Sequence, residues 1–193
     1  MVRRYINDIF WIIRYEEEVN KIFLFLPIFF IIIISIFLFI FLLQNKDPSK
    51  PPSALLNENL PELRLVSLKD EKEILYNKDL EGKKILINFF ASWCAPCIIE
   101  HPLLFQIKKN YPDLYLLGIN HKDKMEDAIK YIDQDGNPYD YIGIDNDGLV
   151  ALDFGVFGLP ETFMINSKGK IIYKYLGPMT NEIIKNEIYP LLK

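Results

Sequence analysis

The amino-acid sequence predicts an α/β domain, with a central mixed β-sheet flanked by helices, preceded by one N-terminal transmembrane helix. Three observations predict it: a long apolar run at residues 22–43, a strand–helix–strand pattern in the middle of the chain, and a hairpin followed by a last helix. Strand–helix–strand units give parallel strands and a hairpin gives antiparallel ones, so the sheet is expected to be mixed.

The predicted membrane segment is the run at residues 22–43, which is apolar apart from Ser35 and Pro27. A helix of that length rises about 30 Å, enough to cross the hydrocarbon core. A buried soluble helix would be shorter and would keep a polar face. A cleaved signal peptide would have a shorter apolar region and a small-residue cleavage site, which residues 44–47 do not offer. The run therefore predicts an uncleaved anchor.

Charge predicts the orientation, because basic residues favour the cytoplasmic side of a membrane. Residues 1–21 are then a cytoplasmic leader, whose apolar stretch at 6–13 is either an interfacial helix or disordered. The proline-rich residues 44–59 are an extracytoplasmic linker, and residues 60–193 are the main domain. We expect a single-pass membrane protein with its C-terminal domain outside the cytoplasm. The basic residues before the anchor are Arg3, Arg4, Arg14 and Lys21, and those soon after it are Lys46 and Lys50.

Hydrophobic periodicity predicts the elements of the main domain. Short strands are expected at 64–68 and 73–76, a strand buried on both faces at 85–90, and further strands at 114–120 and 139–144. Helices are expected at 94–109, 125–134 and 181–192. Strands at 162–165 and 170–175 flank the sequence Asn166-Ser167-Lys168-Gly169, which is typical of a hairpin turn.

The charge and the cysteine and histidine content of the sequence argue against several classes of function. The net charge of −4 gives no basic footprint for nucleic acid. The chain has two cysteines, too few for a disulfide scaffold, and His101 and His121 do not form a paired metal-binding motif. We therefore expect no metal and no cofactor beyond one redox-active pair, Cys94 and Cys97, with a purely structural pair as the alternative.

The cysteines occupy the junction between a buried strand and a helix. A helix N-terminus presents unpaired N–H groups and partial positive charge, which stabilise a thiolate. Cys94 is expected to be the exposed nucleophile and Cys97, one turn deeper, the resolving thiol. Two intervening residues bring the sulfurs within bonding distance, and Pro96 suits the first turn because its missing N–H costs nothing there.

A Trp93-Cys94-Ala95-Pro96-Cys97 motif after a buried strand resembles the thioredoxin superfamily, as does Pro102 within the following helix. The resemblance implies a thioredoxin-like fold and a cis-proline at Pro160, facing the cysteines. With Leu159, Trp93 and Pro96, Pro160 would shape the groove for a partner's backbone; an ordinary trans-proline is the alternative. For Trp93, core packing remains an alternative to partner contact.

Four blocks resemble the DsbE (CcmG) family of thiol:disulfide interchange proteins: residues 87–94, Glu100-His101, residues 118–123 and residues 152–163. That resemblance implies a reductant of cytochrome c maturation, which passes electrons to the disulfide of apocytochrome c, directly or through a partner thioreductase. It also implies an electron donor of the DsbD or CcdA type, and a location in the inner membrane with the C-terminal domain in the periplasm.

The resemblance further implies an acidic residue that tunes the sulfurs. Plain thioredoxins bury an aspartate where this chain has Asn88, whose amide cannot take a proton from Cys97. Glu161 is our candidate substitute, since a nearby carboxylate would disfavour loss of the thiol proton; a solvated edge glutamate is the alternative. Glu100 is a second candidate, although a helical glutamate is usually a surface residue.

Two other functions stay open. Cys-Ala-Pro-Cys alone does not set the direction of electron flow, so a general periplasmic thiol–disulfide exchange enzyme with other clients is the main alternative. A non-catalytic module that holds a client in the proline groove is another, and it would tolerate Cys94→Ser.

Overall fold

The computed structural model describes residues 26–41, 43 and 55–192. The chain divides into two units, Met1–Lys46 and Asp47–Lys193. In the first unit, residues 26–41 form helix α1. Within the described ranges, no helix is both long and apolar enough to cross a membrane. The predicted leader, residues 22–25 and 42 of the predicted anchor, and residues 44–54 of the predicted linker lie outside the described residues.

The second unit is built on a seven-stranded mixed sheet, as predicted, in the order β2-β1-β5-β4-β3-β6-β7. Strand β3 pairs in parallel with β4, and β4 with β5, whereas the β1–β2, β1–β5, β3–β6 and β6–β7 pairs are antiparallel. The strands are β1 (Arg64–Ser67), β2 (Ile74–Tyr76), β3 (Ile85–Phe90), β4 (Tyr115–His121), β5 (Tyr141–Asp145), β6 (Glu161–Ile165) and β7 (Ile171–Leu176).

The helices follow the predicted positions closely. They are α2 (Ala95–Asn110), α3 (Met125–Asp135), α4 (Leu149–Asp153), α5 (Asn181–Ile183) and α6 (Tyr189–Leu192), with a 3₁₀ helix at Asn77–Leu80 and a π-helical turn at Ile184–Ile188. The single helix predicted at 181–192 is thus divided. Pro190 lacks an N–H, and its ring would clash with the preceding turn of a regular α-helix, which accounts for an irregular turn there.

Two hydrophobic clusters cover the two faces of the sheet. One contains Leu86 and Phe90 of β3 and side chains of α2, α3 and the C-terminal helices. The other contains Ile87 and Phe89 of β3 and residues of α4 and the 3₁₀ helix. Because neighbouring residues of a strand point to opposite faces and both faces are covered, every residue of β3 is buried, as its nearly continuous apolar sequence predicts.

Sequence reasoning missed α4 and the 3₁₀ helix. Both are shorter than two turns, so neither carries a measurable helical period. Gly148 has φ 77° and directly precedes the first residue of α4.

Candidate active site

Cys94 and Cys97 form a disulfide at the start of α2, with their Cα atoms 5.3 Å apart. Cys94 is the N-cap residue, and its sulfur accepts a hydrogen bond of 3.2 Å from the backbone N–H of Cys97. This N–H is one of those that a helix leaves unpaired at its first turn. The same donor and the helix dipole are available to a Cys94 thiolate once the disulfide is reduced.

Cys94 is more buried than the sequence led us to expect. The residue is 4% exposed in the oxidised form, so the expected exposed position is wrong. The physical reason is that both cysteines belong to the cluster on the α2 face of the sheet, against which the half-buried Leu159 packs. Pro96 lies in the first turn of α2, as predicted, and is exposed to solvent.

Trp93 lies on the surface next to the disulfide. Its side chain is 62% exposed, which excludes the core-packing alternative. The indole Nε1 donates to the carbonyl of Lys122 at 3.1 Å, so the loop after β4 holds one edge of the ring. An exposed, oriented indole beside the sulfurs is suited to contact a partner chain.

Asp123 organises the loop that leads into the cysteines. Its carboxylate accepts hydrogen bonds from the backbone N–H of Ser92 at 2.6 Å and from the Ser92 hydroxyl at 2.8 Å. It also accepts from the Asn120 side chain at 2.9 Å and the Lys124 backbone at 2.9 Å. One carboxylate therefore ties the residues before Cys94 to the end of β4.

The Leu159–Pro160 peptide bond is cis, as the resemblance to thioredoxins implies. Pro160 directly precedes β6, whose first residue, Glu161, lies opposite Phe89 of β3. The chain leaves the same end of β3 to reach Cys94, whose N–H bonds to the Ala91 carbonyl. Buried Pro160 and half-buried Leu159 thus lie at the sheet end that carries the disulfide.

A buried polar network lies under α2, on the cluster face that contains the cysteines. Asn88 donates to Glu100 Oε1 at 2.8 Å and to the Thr162 hydroxyl at 3.1 Å, and it accepts from the Tyr139 hydroxyl at 2.8 Å. The second oxygen of Glu100 accepts from the backbone N–H of Met179 at 2.8 Å. All four polar side chains are buried and hydrogen-bonded, as buried polar groups require.

Glu100 is only 1% exposed, so the expectation of a surface position is wrong. Burial raises its pKa to about 7, although the hydrogen bonds from Met179 and Asn88 oppose the rise. Glu100 lies one helical turn beyond Cys97, and both belong to the buried stripe of α2. Glu100 therefore places a carboxyl group on the buried side of α2, and this group titrates near neutral pH.

Glu161 is also buried, which excludes the alternative of a solvated edge residue. Its Oε1 lies 2.7 Å from Lys174 Nζ in an ion pair. Because residues directly opposite in an antiparallel pair share a face, Glu161 points to the same side of the sheet as Phe89. That side is opposite to the one on which the cysteines and Glu100 pack. Its tuning role remains a prediction.

The two histidines are engaged in packing and bracing contacts. His101 contacts the Gly136 carbonyl at 3.0 Å and lies against the Tyr131 ring, and burial lowers its pKa below the ordinary value. His121 Nδ1 lies 2.8 Å from Asp145, whose carboxylate also accepts from backbone N–H groups at the start of α4. Both histidines thus contact residues that hold the fold together.

Sequence reasoning missed Tyr139 and Lys174. A signal for Tyr139 is Gly118 of β4: a Cβ there would lie 3.0 Å from the rings of Phe90 and Tyr139, so the absence of a side chain makes room for them. For Lys174 the signal is the hairpin, because its register makes Lys174 a diagonal neighbour of Glu161 across β6 and β7.

Comparisons with known proteins agree with a thiol–disulfide chemistry. The Redoxin family model matches residues 55–189. The thiol:disulfide interchange protein HelX of Rhodobacter capsulatus is 38% identical over 152 residues, covering 79% of this chain and 85% of HelX. The thiol:disulfide interchange protein DsbE of Pseudomonas aeruginosa is 38% identical over 168 residues, covering 87% of this chain and 91% of that protein.

The fold has counterparts among solved structures. The thioredoxin domain of a thiol-disulfide oxidoreductase from Bacteroides vulgatus superimposes with a TM-score of 0.62 at 20% identity. The match covers 73% of this chain and all of that domain. At this identity the similarity establishes the thioredoxin-like fold.

Proposed function

Because this chain belongs to the Redoxin family, and within it to the DsbE-type thiol:disulfide interchange proteins, we propose that it reduces the disulfide of apocytochrome c, or of a partner thioreductase, during cytochrome c maturation. That it is a disulfide oxidoreductase follows from the family and from its Cys94–Cys97 pair. The reductive direction and the client are the parts that we propose.

One observation carries the reductive direction: the buried Glu100 one turn beyond Cys97. A dithiol is a strong oxidant in its disulfide form when its thiolate is well stabilised. An ionised carboxylate on the same buried face opposes a thiolate and so disfavours that outcome. Glu100 thus offsets part of the stabilisation that the N-terminus of α2 gives to Cys94.

The proposed reaction starts from the reduced protein. The Cys94 thiolate attacks one sulfur of the client disulfide, forms a mixed disulfide, and releases the other client sulfur as a thiolate that takes up a proton. Cys97 then loses its proton and attacks Cys94, which releases the second client thiol and forms the Cys94–Cys97 disulfide. Two electrons pass to the client, and an external dithiol donor returns them.

We assign the second step a general base. Cys97 is buried, so its proton needs an acceptor nearby within the protein. Glu100, with a pKa of about 7, is matched to that task near neutral pH. The reaction requires no metal or organic cofactor, because the sulfur pair itself carries the electrons. The donor that we propose is a membrane thiol transporter of the DsbD or CcdA type.

We also propose that residues 22–43 anchor the chain in the inner membrane, with the catalytic domain in the periplasm. Two observations support the anchor: the long run at residues 22–43, apolar apart from Ser35 and Pro27, and the exposure of the large apolar side chains throughout α1. Uncovered apolar surface of this extent is unfavourable in water and favourable in lipid. A membrane fraction that loses the protein after alkaline carbonate washing would contradict the anchor.

A general periplasmic exchange enzyme is the second candidate. The exposed rings of Trp93, next to the disulfide, and of Phe157, in the loop before Pro160, favour it, because uncharged aromatic contacts suit many unfolded clients. Reduction of oxidised insulin as fast as of a cytochrome-derived peptide would support this broader function.

The test uses the reduced full-length chain and a disulfide-bonded peptide with the sequence Cys-x-x-Cys-His, followed by thiol alkylation and mass spectrometry. We expect one peptide reduced for each Cys94–Cys97 disulfide formed, and none with Cys94→Ser.

In cells, deletion of the gene should abolish covalent haem attachment, and dithiothreitol should restore it. Intact cytochromes c in the deletion strain would contradict the proposed client.

A further inference from the structure

Lys174 is a buried lysine on the hairpin strand β7. Its side chain is 3% exposed and pairs with Glu161 at 2.7 Å on the sheet face away from the cysteines. An ammonium group loses much of its hydration on burial, so its place in a fold requires specific partners. The groups that Lys174 contacts therefore indicate its role in the protein.

The ion pair holds both ends of one short segment, Gly155–Phe157. Lys174 Nζ donates to the Gly155 carbonyl at 2.6 Å. The second carboxylate oxygen of Glu161 accepts from the backbone N–H of Phe157 at 2.9 Å. The cation and the anion therefore each fix one backbone group of the segment, and their mutual attraction fixes the distance between them.

The segment leads directly to the cis-proline. Phe157 stands three residues before Pro160, and its side chain is 76% exposed. Lys174 Nζ lies 4.9 Å from the centroid of this ring, a distance typical of a cation–π contact. Lys174 thus contacts both the backbone and the exposed aromatic side chain of the loop that precedes the groove.

Stability alone does not account for this arrangement. Replacing a buried ion pair by apolar residues of similar volume is often neutral or stabilising. An apolar residue in place of Lys174 would also pack against the Phe163 ring, whose centroid lies 5.2 Å from Lys174 Nζ. Apolar residues at both positions could not donate to the Gly155 carbonyl or accept from the Phe157 N–H.

We propose that Lys174 is a positioning residue for client binding: with Glu161 it fixes the Gly155–Phe157 segment and presents the Phe157 ring to a bound client chain. This inference rests on the proposed reductase function and adds a residue on the far face of the sheet to it. Lys174 acts through the loop and leaves the sulfur chemistry unchanged.

The experiment measures the rate at which the reduced full-length chain reduces a peptide disulfide in a single turnover, across a range of peptide concentrations. These rates give two separate quantities, the half-saturating peptide concentration and the maximal rate. The probes are the Cys-x-x-Cys-His peptide disulfide, oxidised insulin, and hydroxyethyl disulfide, which has no peptide chain to bind the loop. The variants are Lys174→Met, Lys174→Arg and Phe157→Ala. Lys168→Met, an exposed lysine in the turn at the other end of the same hairpin, is the matched control.

We expect Lys174→Met and Phe157→Ala each to raise the half-saturating peptide concentration about fivefold to tenfold. In Lys174→Met the unfixed loop must be ordered on binding, and in Phe157→Ala the contact of the ring with the client is lost. The maximal rate, the rate with hydroxyethyl disulfide and the reduction potential should stay as in the wild type. Lys174→Arg should restore most of the affinity, because it keeps a donor and a cation. Lys168→Met should match the wild type.

If folded Lys174→Met has the half-saturating peptide concentration of the wild type, the inference is overturned. It is also overturned if this variant reduces the peptide and hydroxyethyl disulfide more slowly by the same factor. If Lys174→Met does not fold, Phe157→Ala decides, since its exposed side chain can be removed without disturbing the core; unchanged half-saturation there overturns the inference. If the wild type reduces insulin but not the peptide, the proposed client is wrong. The same comparison on insulin then supports or overturns the role of Lys174.

Discussion

The side chains of Asn88 in β3 and Glu100 in α2 are joined by a hydrogen bond of 2.8 Å, from Nδ2 to Oε1. Plain thioredoxins carry an aspartate at the position of Asn88. Here β3 supplies a neutral amide, and the acidic residue lies on α2, the helix that carries Cys97. The carboxyl group of Glu100 is therefore held one helical turn beyond Cys97 on the same helix.

The first prediction concerns the pH dependence of the second chemical step. If Glu100 accepts the proton of Cys97, the rate at which the mixed disulfide resolves should rise through an inflection near pH 7. Glu100→Gln should remove the inflection and slow the step about 100-fold, the lower end of typical general-base effects. Stopped-flow measurement of client release between pH 5 and 9 checks this. Glu126→Gln, an exposed glutamate of α3, is the control, and an identical profile for both variants would contradict the role.

The second prediction concerns stability. Because burial raises the folded-state pKa of Glu100 from 4.5 to about 7, the unfolded chain releases this proton first as pH rises. The contribution of Glu100 to stability is complete below about pH 4.5 and is lost by about pH 7, a decline of about 3 kcal/mol. Denaturant unfolding of the oxidised protein at several pH values measures it.

Glu100→Gln is the matched variant for stability. The glutamine keeps an acceptor for Asn88 but presents a second donor to the Met179 N–H, so its overall stability will differ. The diagnostic quantity is the slope of the unfolding free energy against pH, which should flatten between pH 4.5 and 7. A slope equal to that of the wild type would exclude the raised pKa.

The third prediction concerns the loop before the disulfide. Asp123→Ala leaves the Ser92 backbone N–H and the Asn120 side chain without their acceptor, at a cost of about 1–3 kcal/mol. Amide hydrogen exchange at Ser92 should accelerate, and attack by Cys94 on a peptide disulfide should slow about fivefold, since loop order positions the nucleophile. Asp127→Ala, an exposed residue of α3, should change neither; equal effects from both variants would count against this role.

Much of the fold was predictable because its signals are local. The buried strand at Ile85–Phe90 has the bounds that its apolar sequence predicts, and a helix begins directly after Cys94. The cis bond at Pro160, which the resemblance to thioredoxins implies, is present. The strand and the start of the helix each depend on a few consecutive residues.

The polar parts of the site were less predictable because their partners are distant in sequence. Glu100 is buried because Asn88 and the Met179 N–H satisfy its two oxygens. Lys174 is buried because Glu161 and the Gly155 carbonyl receive its charge and its hydrogen bond. Strand pairing and loop packing create these contacts, and periodicity within one segment does not record them.

The fourth prediction separates the roles of the two cysteines. In Cys97→Ala, attack by Cys94 on a client disulfide should proceed, and the mixed disulfide should then persist because the resolving thiol is absent. Non-reducing electrophoresis and mass spectrometry of the captured species identify the donor and the client. In Cys94→Ala, Cys97 should capture neither, because the N–H group that can stabilise a thiolate at the start of α2 bonds to the Cys94 sulfur and belongs to Cys97 itself. Capture by Cys94→Ala alone would reverse the assignment.

The proposed reductive direction is tested most directly by the reduction potential of the Cys94–Cys97 pair, measured in the full-length chain by equilibration with a glutathione buffer. The N-terminus of α2 favours a thiolate at Cys94 and the Glu100 carboxyl opposes it, so we predict a reducing pair, more negative than about −180 mV, the value of protein disulfide isomerase. A potential near about −120 mV, that of the strong oxidant DsbA, would contradict the proposed reductant.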